Sequence, residues 1–243
     1  MRPWIRLPIL MYHAVDRIPE GARSPRNYVP PDDFGAQLEL LARLGYQTIS
    51  FSEWLGYRDH GQSIPARPII LTFDDGYRSV WERAWPLLKR FGFSATVFLI
   101  SSFIGKTNVW DDPGTALEPL LGTREILEMR DAGIGFGSHT HTHPPLTTIP
   151  PERVLDELRT SRATLERVLG APVGVLCYPY GKQNATVRAL AREAGFQAGV
   201  IARRRLNSVR TDCFRLTRIP IDHRMTLARL RWTLARLRWL HYA

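Results

Sequence analysis

The stretch Pro68-Ile-Ile-Leu-Thr-Phe-Asp-Asp-Gly76 joins a run of apolar residues to two adjacent carboxylates and a glycine. An apolar run of this length is typical of a β-strand. The residues that follow, Tyr77 to Phe91, have helical periodicity and stop before Gly92. Glycine is favoured just after a helix because it takes the left-handed conformation without strain. The segment therefore predicts a strand followed by a helix.

The same alternation of strand and helix fills most of the chain. Further apolar runs of strand length lie at Ile9 to Val15, Gln47 to Phe51, Ala95 to Ile100, Ile134 to Ser138, Val173 to Tyr178 and Gln197 to Ile201. Further helical periodicity lies at Asp32 to Leu44, Thr123 to Ala132, Pro151 to Leu169 and Ala185 to Ala194. This alternation predicts parallel strands with crossover helices, and about seven strands fit an open sheet or a barrel. Since no linker divides the chain, we predict one α/β domain over residues 1–243.

The composition is that of a soluble globular protein with a basic surface. The net charge is +10, and only three of the 33 basic residues are lysines. Arginine binds planar anions, so an acidic glycan, lipid phosphates or nucleic acid are conceivable partners, but a solvated arginine-rich surface explains the charge more simply. No nucleic-acid recognition motif occurs. Cys177 and Cys213 form neither a disulfide framework nor a zinc motif.

Targeting signals are not evident. No apolar run reaches the length of a membrane helix, and the apolar stretch Leu7 to Met11 is too short for a secretory signal. We therefore expect the protein in the cytoplasm or peripherally at the inner face of the membrane.

A short repeat marks the C-terminus. Leu227-Ala-Arg-Leu-Arg-Trp232 recurs as Leu234-Ala-Arg-Leu-Arg-Trp239, which predicts a basic amphipathic helix within residues 225–243. Its leucine stripe comprises Leu227, Leu230, Leu234 and Leu237. Such a stripe is usually core, which favours a last helix packed on the domain, but a basic helix of this kind also suits peripheral membrane contact or a partner helix.

Two segments carry residue types suited to a catalytic metal site. Asp74 and Asp75 end a predicted strand, where adjacent side chains point to different sides, so one can bind a metal while the other accepts a proton. The alternative is a simple helix cap. In the second segment, His139 and His143 have the spacing that lets two imidazoles reach one ion. Imidazole suits zinc, nickel or cobalt, and two histidines with one carboxylate leave positions open for water and substrate.

A third segment, Cys177-Tyr-Pro-Tyr-Gly181, places aromatic rings and a proline after a predicted strand. Together the three segments resemble the polysaccharide deacetylase family, also known as the NodB-homology domain or carbohydrate esterase family 4. Thr72 to Gly76 is similar to its first motif, His139 to Pro144 to its histidine motif, and Cys177 to Gly181 to its Arg-x-Pro-Tyr-Gly motif. The similarity runs from about Leu7 to about Gly199 and is nearest to the poly-N-acetylglucosamine deacetylase branch.

The resemblance implies a distorted (β/α)₇ barrel with its site at the carboxyl ends of the strands. It also implies that Asp75, His139 and His143 bind a divalent metal, most simply Zn²⁺ with Ni²⁺ or Co²⁺ as alternatives. By the same resemblance Asp74 is the catalytic base. The substrate-binding segment is then Tyr178, Pro179, Tyr180 and Gly181, with a backbone N–H near Tyr180 at the oxyanion.

The chain departs from the family pattern in two places. Cys177 stands where many members have an arginine that pairs with the base, and the late leucine-x-histidine motif that usually supplies the acid is not clear. His13, at the end of the first predicted strand, is the candidate acid, and a buried structural histidine is the alternative. Arg218 and Asp222, in a strand-like run, are weaker candidates for the pocket.

Three functions fit the sequence. The first is removal of N-acetyl groups from N-acetylhexosamine units of a polysaccharide or glycolipid. The second keeps the fold and changes the bond, as in an O-acetyl xylan-type esterase or a small cyclic-amide hydrolase. The third is a non-catalytic module that binds a glycan or a membrane. The presence of both carboxylates and both histidines favours an enzyme, because binding alone would not need them.

Overall fold

The computed structural model describes residues 5–20, 22, 24–110 and 117–239. Their strands are β1 (Ile9–Tyr12), β2 (Ala14–Val15), β3 (Tyr28–Val29), β4 (Gln47–Thr48), β5 (Pro68–Phe73), β6 (Thr96–Leu99), β7 (Gly135–Ser138), β8 (Val175–Cys177), β9 (Ala198–Ala202) and β10 (Leu216–Pro220). The helices are α1 (Pro31–Arg43), α2 (Phe51–His60), α3 (Trp85–Phe91), α4 (Thr123–Asp131), α5 (Pro151–Leu169), α6 (Ala185–Glu193) and α7 (Leu227–Trp239).

Seven parallel strands close into a barrel. Strands β5, β6, β7, β8, β9 and β10 pair in that order, and β1 pairs with both β5 and β10 to complete the ring. In register, Leu10 of β1 lies opposite Leu71 on one side and Ile219 on the other. Because all these pairs are parallel, the carboxyl ends of the seven strands meet at one end of the barrel. The predicted seven-stranded barrel is confirmed.

One strand of that prediction was wrong. Of Gln47 to Phe51, only the two-residue strand β4 forms, and it pairs with the start of β5 outside the ring. Ser50 instead caps α2, because its hydroxyl accepts from the Glu53 N–H while the Glu53 carboxylate accepts from the Ser50 N–H. The seventh strand of the ring is β10.

The predicted helices form with small changes. The segment Tyr77 to Phe91 contains a π-helical turn over Val80–Ala84 before α3. Gly92 and Gly170 end α3 and α5 in the left-handed conformation, as their positions predict. The strand residues that fill the barrel and the inner faces of the surrounding helices form one hydrophobic core.

The C-terminal helix α7 packs against α1. Leu230 and Leu234 are buried, whereas Leu227 is 43% exposed, and the side chain of Leu237 lies outside the described residues. The core interpretation of the leucine stripe therefore holds for its two central leucines. Among the described residues, no helix combines the length and the apolar character that crossing a membrane requires.

Candidate active site

The candidate site lies at the carboxyl end of the barrel, around a cavity of about 250 Å³. Asp74 and Asp75 follow β5, His139 follows β7, and Arg218 lies on β10. The cavity is lined by Met11, His13, Ser24, Asn27, Asp74, Asp75, Trp110, His139, His143, Tyr178, Tyr180, Gly181, Ala202 and Arg218. The fold thus brings together residues that are far apart in the sequence.

The three predicted metal ligands converge on one point. The Nε2 atoms of His139 and His143 are 3.2 Å apart, and they lie 3.3 and 3.7 Å from Oδ1 of Asp75. Ligands bonded tetrahedrally at about 2.1 Å to one zinc ion would be about 3.4 Å apart. All three side chains are buried. Their donor set and spacing fit one divalent cation.

The backbone at the end of β5 turns sharply to aim the two carboxylates apart. Asp75 has a φ of 68° and Gly76 a φ of 73°, so two consecutive residues are left-handed. A Cβ at Gly76 would come within 2.8 Å of the Leu99 side chain on β6, and only glycine fits there. A left-handed aspartate is uncommon, and such strained conformations are concentrated at functional sites.

The histidine loop is held from below by α5. The buried Glu157 carboxylate accepts hydrogen bonds from the N–H groups of His141 and Thr142 at 2.8 Å and from the Thr142 hydroxyl at 2.6 Å. Thr140 and His143 both have positive φ, and the Thr140 hydroxyl accepts from the His143 N–H at 3.0 Å. This network fixes the loop so that His139 and His143 face Asp75.

The middle histidine of the cluster does not join the site. Nδ1 of His141 lies 2.8 Å from the Ser101 hydroxyl, and His141 is not among the residues that line the cavity. The structure thus separates the two predicted ligands from their neighbour.

The tautomer of His139 is set by a backbone carbonyl. Nδ1 of His139 lies 2.9 Å from the Cys177 carbonyl oxygen, so Nδ1–H donates there and Nε2 is the nitrogen that faces Asp75 and His143. Burial, together with the neighbouring charge of His139, lowers the pKa of His143 to about 3. His143 is therefore neutral at ordinary pH, which is the state that a metal ligand needs.

Replacing His139 with alanine should reduce bound metal sharply, because it removes one of three donors and leaves Asp75 and His143 alone. The bound metal per protein can be measured by elemental analysis after equilibration with zinc. His141→Ala is the matched control, since His141 lies two residues away in the same loop, contacts Ser101 and does not line the cavity, and it should keep wild-type metal content. An unchanged zinc content in His139→Ala would remove His139 from the ligand set.

The second carboxylate, Asp74, is not part of this donor triangle. Both of its oxygens are bound by the guanidinium of Arg218, with Nη1–Oδ1 at 2.6 Å and Nη2–Oδ2 at 2.7 Å. Arg218 also donates to the Thr72 hydroxyl at 3.1 Å, and that hydroxyl donates to the Leu10 carbonyl. Both side chains of the ion pair are buried, and the paired hydrogen bonds fix the orientation of the carboxylate at the cavity wall.

Electrostatics keep Asp74 ionised despite its burial. Burial by itself raises the pKa of this carboxyl, but the adjacent Arg218 guanidinium more than reverses the effect, so the pKa lies well below its usual range. Burial raises the pKa of the Cys177 thiol, which is therefore protonated, and its Sγ lies 3.5 Å from Oδ2 of Asp74. The arginine that pairs with Asp74 therefore comes from β10. In the family pattern it would come from position 177 on β8, which is a cysteine in this chain.

His13 reaches the same cavity from the end of β1. Its Nδ1 is buried and has no hydrogen-bond partner among the described residues. Its side chain lines the cavity together with the carboxylates of Asp74 and Asp75. The location fits a group that exchanges protons inside the cavity.

Of the predicted substrate-binding segment, three residues face the cavity and one does not. Tyr178, Tyr180 and Gly181 line it, while Pro179 is buried and is absent from the cavity wall. The ring of Tyr180, which is 59% exposed, lies with its centroid 4.9 Å from that of His143. Tyr180 therefore forms an aromatic edge beside the donor triangle of Asp75, His139 and His143.

Other expectations for the pocket need correction. Asp222 does not reach the cavity, because it bonds the backbone of Arg224 beyond the end of β10. Trp110, which no motif marks, does reach it, and its ring centroid lies 5.5 Å from that of His143. Ser24 and Asn27 also line the cavity. The sequence signal for these three was only that they lie in polar, proline- and glycine-bearing loops, parts of which fall outside the described residues.

Comparison with known proteins places this geometry in a family. The family model described as polysaccharide deacetylase matches residues 61–199, which include both carboxylates and both histidines. This chain belongs to the polysaccharide deacetylase family. His13 and Arg218 lie outside the matched range, so the family model covers the two carboxylates and two histidines and not the whole cavity.

Curated relatives share the family at low identity. One relative is YxkH of Bacillus subtilis, whose name assigns it to the polysaccharide deacetylases. It is 30% identical over 195 residues, which are 80% of this chain and 64% of that protein. The poly-beta-1,6-N-acetyl-D-glucosamine N-deacetylase of Staphylococcus epidermidis is 26% identical over 213 residues, 84% of this chain and 71% of that protein. The chain thus spans roughly two thirds of the length of these relatives.

Solved structures of deacetylases superimpose on most of the chain. The Streptococcus pyogenes deacetylase PplD, in complex with acetate, has a TM-score of 0.83 at 27% identity and covers 94% of this chain and 98% of its own. IcaB from Ammonifex degensii has a TM-score of 0.79 at 22% identity and covers 94% of this chain and 97% of its own. At this identity the match supports the fold alone. The barrel and its closure are therefore those of deacetylases in this family.

Proposed function

We propose that this protein is a metal-dependent hydrolase that removes N-acetyl groups from N-acetylhexosamine units of a polysaccharide or glycolipid. The observation that carries the proposal is the separation of the two adjacent carboxylates into different roles. Asp75 joins His139 and His143 in one donor triangle, whereas Asp74 is held apart by Arg218 in the same cavity. A site that only bound a cation would not need the second carboxylate.

Asp75, His139 and His143 would hold the divalent ion, most simply zinc. Such an ion supplies a water of lowered pKa and polarises an acetyl carbonyl. Asp74, which its pairing with Arg218 keeps ionised, accepts the proton from the attacking water. Because Arg218 binds both oxygens of Asp74, the base is already oriented before the substrate binds.

The proposed acid is His13, because a departing amine must be protonated and this imidazole lines the same cavity as Asp74 and Asp75. The backbone at Tyr180, with its positive φ of 59°, lies at the cavity rim, and we propose its N–H for the developing oxyanion. Tyr178, Tyr180 and Trp110 give the cavity aromatic walls of a kind that suits a sugar ring.

Replacing His13 with glutamine should lower kcat/KM for the N-acetylated glycan by about 10²- to 10⁴-fold, the range typical for a lost general acid. Hydrolysis of 4-nitrophenyl acetate should change far less, because 4-nitrophenolate leaves without protonation. The two substrates can be compared on the same zinc-loaded preparation. Equal losses on both would indicate that His13 positions the site and does not protonate the leaving group.

Support for an N-acetylated glycan comes from the relatives. One is a poly-beta-1,6-N-acetyl-D-glucosamine N-deacetylase, and a structural neighbour is a deacetylase in complex with acetate, the acid that deacetylation releases. The cavity of about 250 Å³ is below the roughly 300–1,000 Å³ of drug-sized sites, which suits one monosaccharide unit with the rest of a chain outside.

Acetate release tests the proposal. The zinc-loaded protein should release acetate from N-acetylglucosamine oligomers linked β-1,4 or β-1,6, and the metal-stripped protein should not until zinc, cobalt or nickel is restored. Acetylated xylan is the parallel substrate. Release from xylan alone would replace the proposal with an O-acetyl esterase. Glycan binding with no acetate from either substrate would replace it with a non-catalytic module.

A further inference from the structure

The inner face of helix α7 packs against α1. Leu230, Thr233 and Leu234 are buried, and the loop before the helix is tied to α1 because the Gln37 side chain donates to the Met225 carbonyl at 3.3 Å. The leucine stripe that the sequence offers for membrane contact is therefore covered at these positions. Any partner of this helix must bind its opposite face.

The opposite face carries an exposed tryptophan flanked on both sides by arginine. At 3.6 residues per turn, Trp232 lies about 200° around the helix from Leu230. Trp232 is 58% exposed, and the exposed Ala228 and Ala235 continue its line along the helix. Arg229 and Arg236 lie on one flank of this line and Arg231 on the other, and all three are exposed. The seven-residue repeat of the sequence is what places these residues in line.

Charge on this part of the chain has one sign. After Asp222 the sequence contains five arginines, namely Arg224, Arg229, Arg231, Arg236 and Arg238, and no aspartate or glutamate. The guanidinium carbon of Arg236 lies 4.7 Å from the centre of the Trp232 ring, so cation and indole form one contact surface.

We propose that the outer face of α7 binds an anionic phospholipid surface. Tryptophan is the residue that prefers the headgroup layer of a bilayer, and arginines flanking it can pair with lipid phosphates. Alanine on the line of Trp232 leaves no bulky side chain beside the indole, so the helix can lie flat on a surface. A nucleic acid or an acidic protein would match the charge of the arginines. Neither would require the apolar line of Ala228, Trp232 and Ala235 between them.

The test is co-sedimentation of the full-length protein with two kinds of vesicle. Vesicles of phosphatidylcholine containing about one third phosphatidylglycerol should bind the protein, pure phosphatidylcholine vesicles should not, and binding should weaken as salt rises. The triple variant Arg229→Gln, Arg231→Gln, Arg236→Gln should weaken binding about 100-fold, at about fivefold per arginine. Trp232→Ala, which leaves the net charge unchanged, should weaken it roughly tenfold.

A second triple variant is the matched control. Arg203, Arg204 and Arg205 are also exposed, and replacing them with glutamine changes the net charge equally while leaving α7 intact. This control should keep wild-type vesicle binding, and all variants should keep wild-type hydrolysis of soluble substrate and thermal melting. Equal loss in the control, equal binding to uncharged vesicles, or no binding to anionic vesicles would each overturn the proposal.

Discussion

Replacing Asp74 with asparagine should leave a folded, metal-loaded protein whose kcat is lower by about a thousandfold or more, near the upper part of the range for loss of a general base. The amide has the shape of the carboxylate but carries no charge and does not take a proton from water. It lies outside the donor triangle of Asp75, His139 and His143, so metal content should persist. Steady-state kinetics with oligosaccharide, paired with elemental analysis, measures both quantities.

Asp75→Asn is the matched control for that experiment. The two residues are adjacent and both are buried, but only Asp75 lies within 3.7 Å of both histidine nitrogens. Its amide variant should lose metal and activity together, and added zinc should restore part of the activity. An Asp74→Asn protein that turned over at the wild-type rate would remove Asp74 as the base.

Replacing Arg218 with methionine should destabilise the fold by about 3–5 kcal/mol, because it leaves a buried carboxylate without its partner. Arg218 and Asp74 are both nearly inaccessible to solvent, so water cannot replace the lost hydrogen bonds. The activity should fall as well, since Asp74 loses the two bonds that orient it. Denaturant unfolding and kcat/KM measured as a function of pH test these two effects.

The stability that the Asp74–Arg218 pair contributes depends on pH in a direction that can be predicted. In the wild type the pKa of Asp74 is lowered, so the stability that the pair contributes is present above the ordinary carboxyl range and is lost as pH falls through the lowered value. In Arg218→Met the strongest lowering influence is lost, and we expect burial, the largest single cause, to raise the pKa of Asp74 above its unfolded value against the weaker lowering by His139 and His13. The stability deficit of the variant should therefore be larger at about pH 8 than at about pH 5, and the acidic limb of kcat/KM should move to higher pH.

Two further variants separate charge from geometry. Arg218→Lys keeps the cation but not the forked pair of hydrogen bonds, so it should retain more stability than Arg218→Met and still lose activity. The double variant Arg218→Met with Asp74→Asn removes the unpaired charge and should recover much of the lost stability. A deficit in Arg218→Met that did not vary with pH would show that its cause is packing and not the carboxylate of Asp74.

The residues of the donor triangle could be picked out from the sequence because they lie in two short segments of it. Asp74 and Asp75 are adjacent, and His139 and His143 are four residues apart, so each pair is visible in a short window. The partner of Asp74 could not be found in this way, since Arg218 lies 144 residues away and becomes a neighbour only when β10 closes the barrel. Trp110 was not predicted for a different reason, because it reaches His143 from a loop that carries no motif.

The errors in the fold have a physical cause as well. Gln47 to Phe51 has the apolar character of a strand, but the capping residues Ser50 and Glu53 start a helix within it, and the cap prevails. Strand β10 was only a strand-like run in the sequence, because Arg218 and Pro220 interrupt its apolar character. The arginine that obscured the strand is the residue that the site requires.

The closure of the ring has one more consequence. Strand β10 is the last to be synthesised, and it brings both the final pairing with β1 and the guanidinium that neutralises Asp74. A nascent chain that ends at β9 has the complete donor triangle in its sequence but an open wall and an unneutralised carboxylate. A chain cut before Leu216 would therefore keep the donor triangle and lose both the closing strand of the barrel and the arginine that pairs with Asp74.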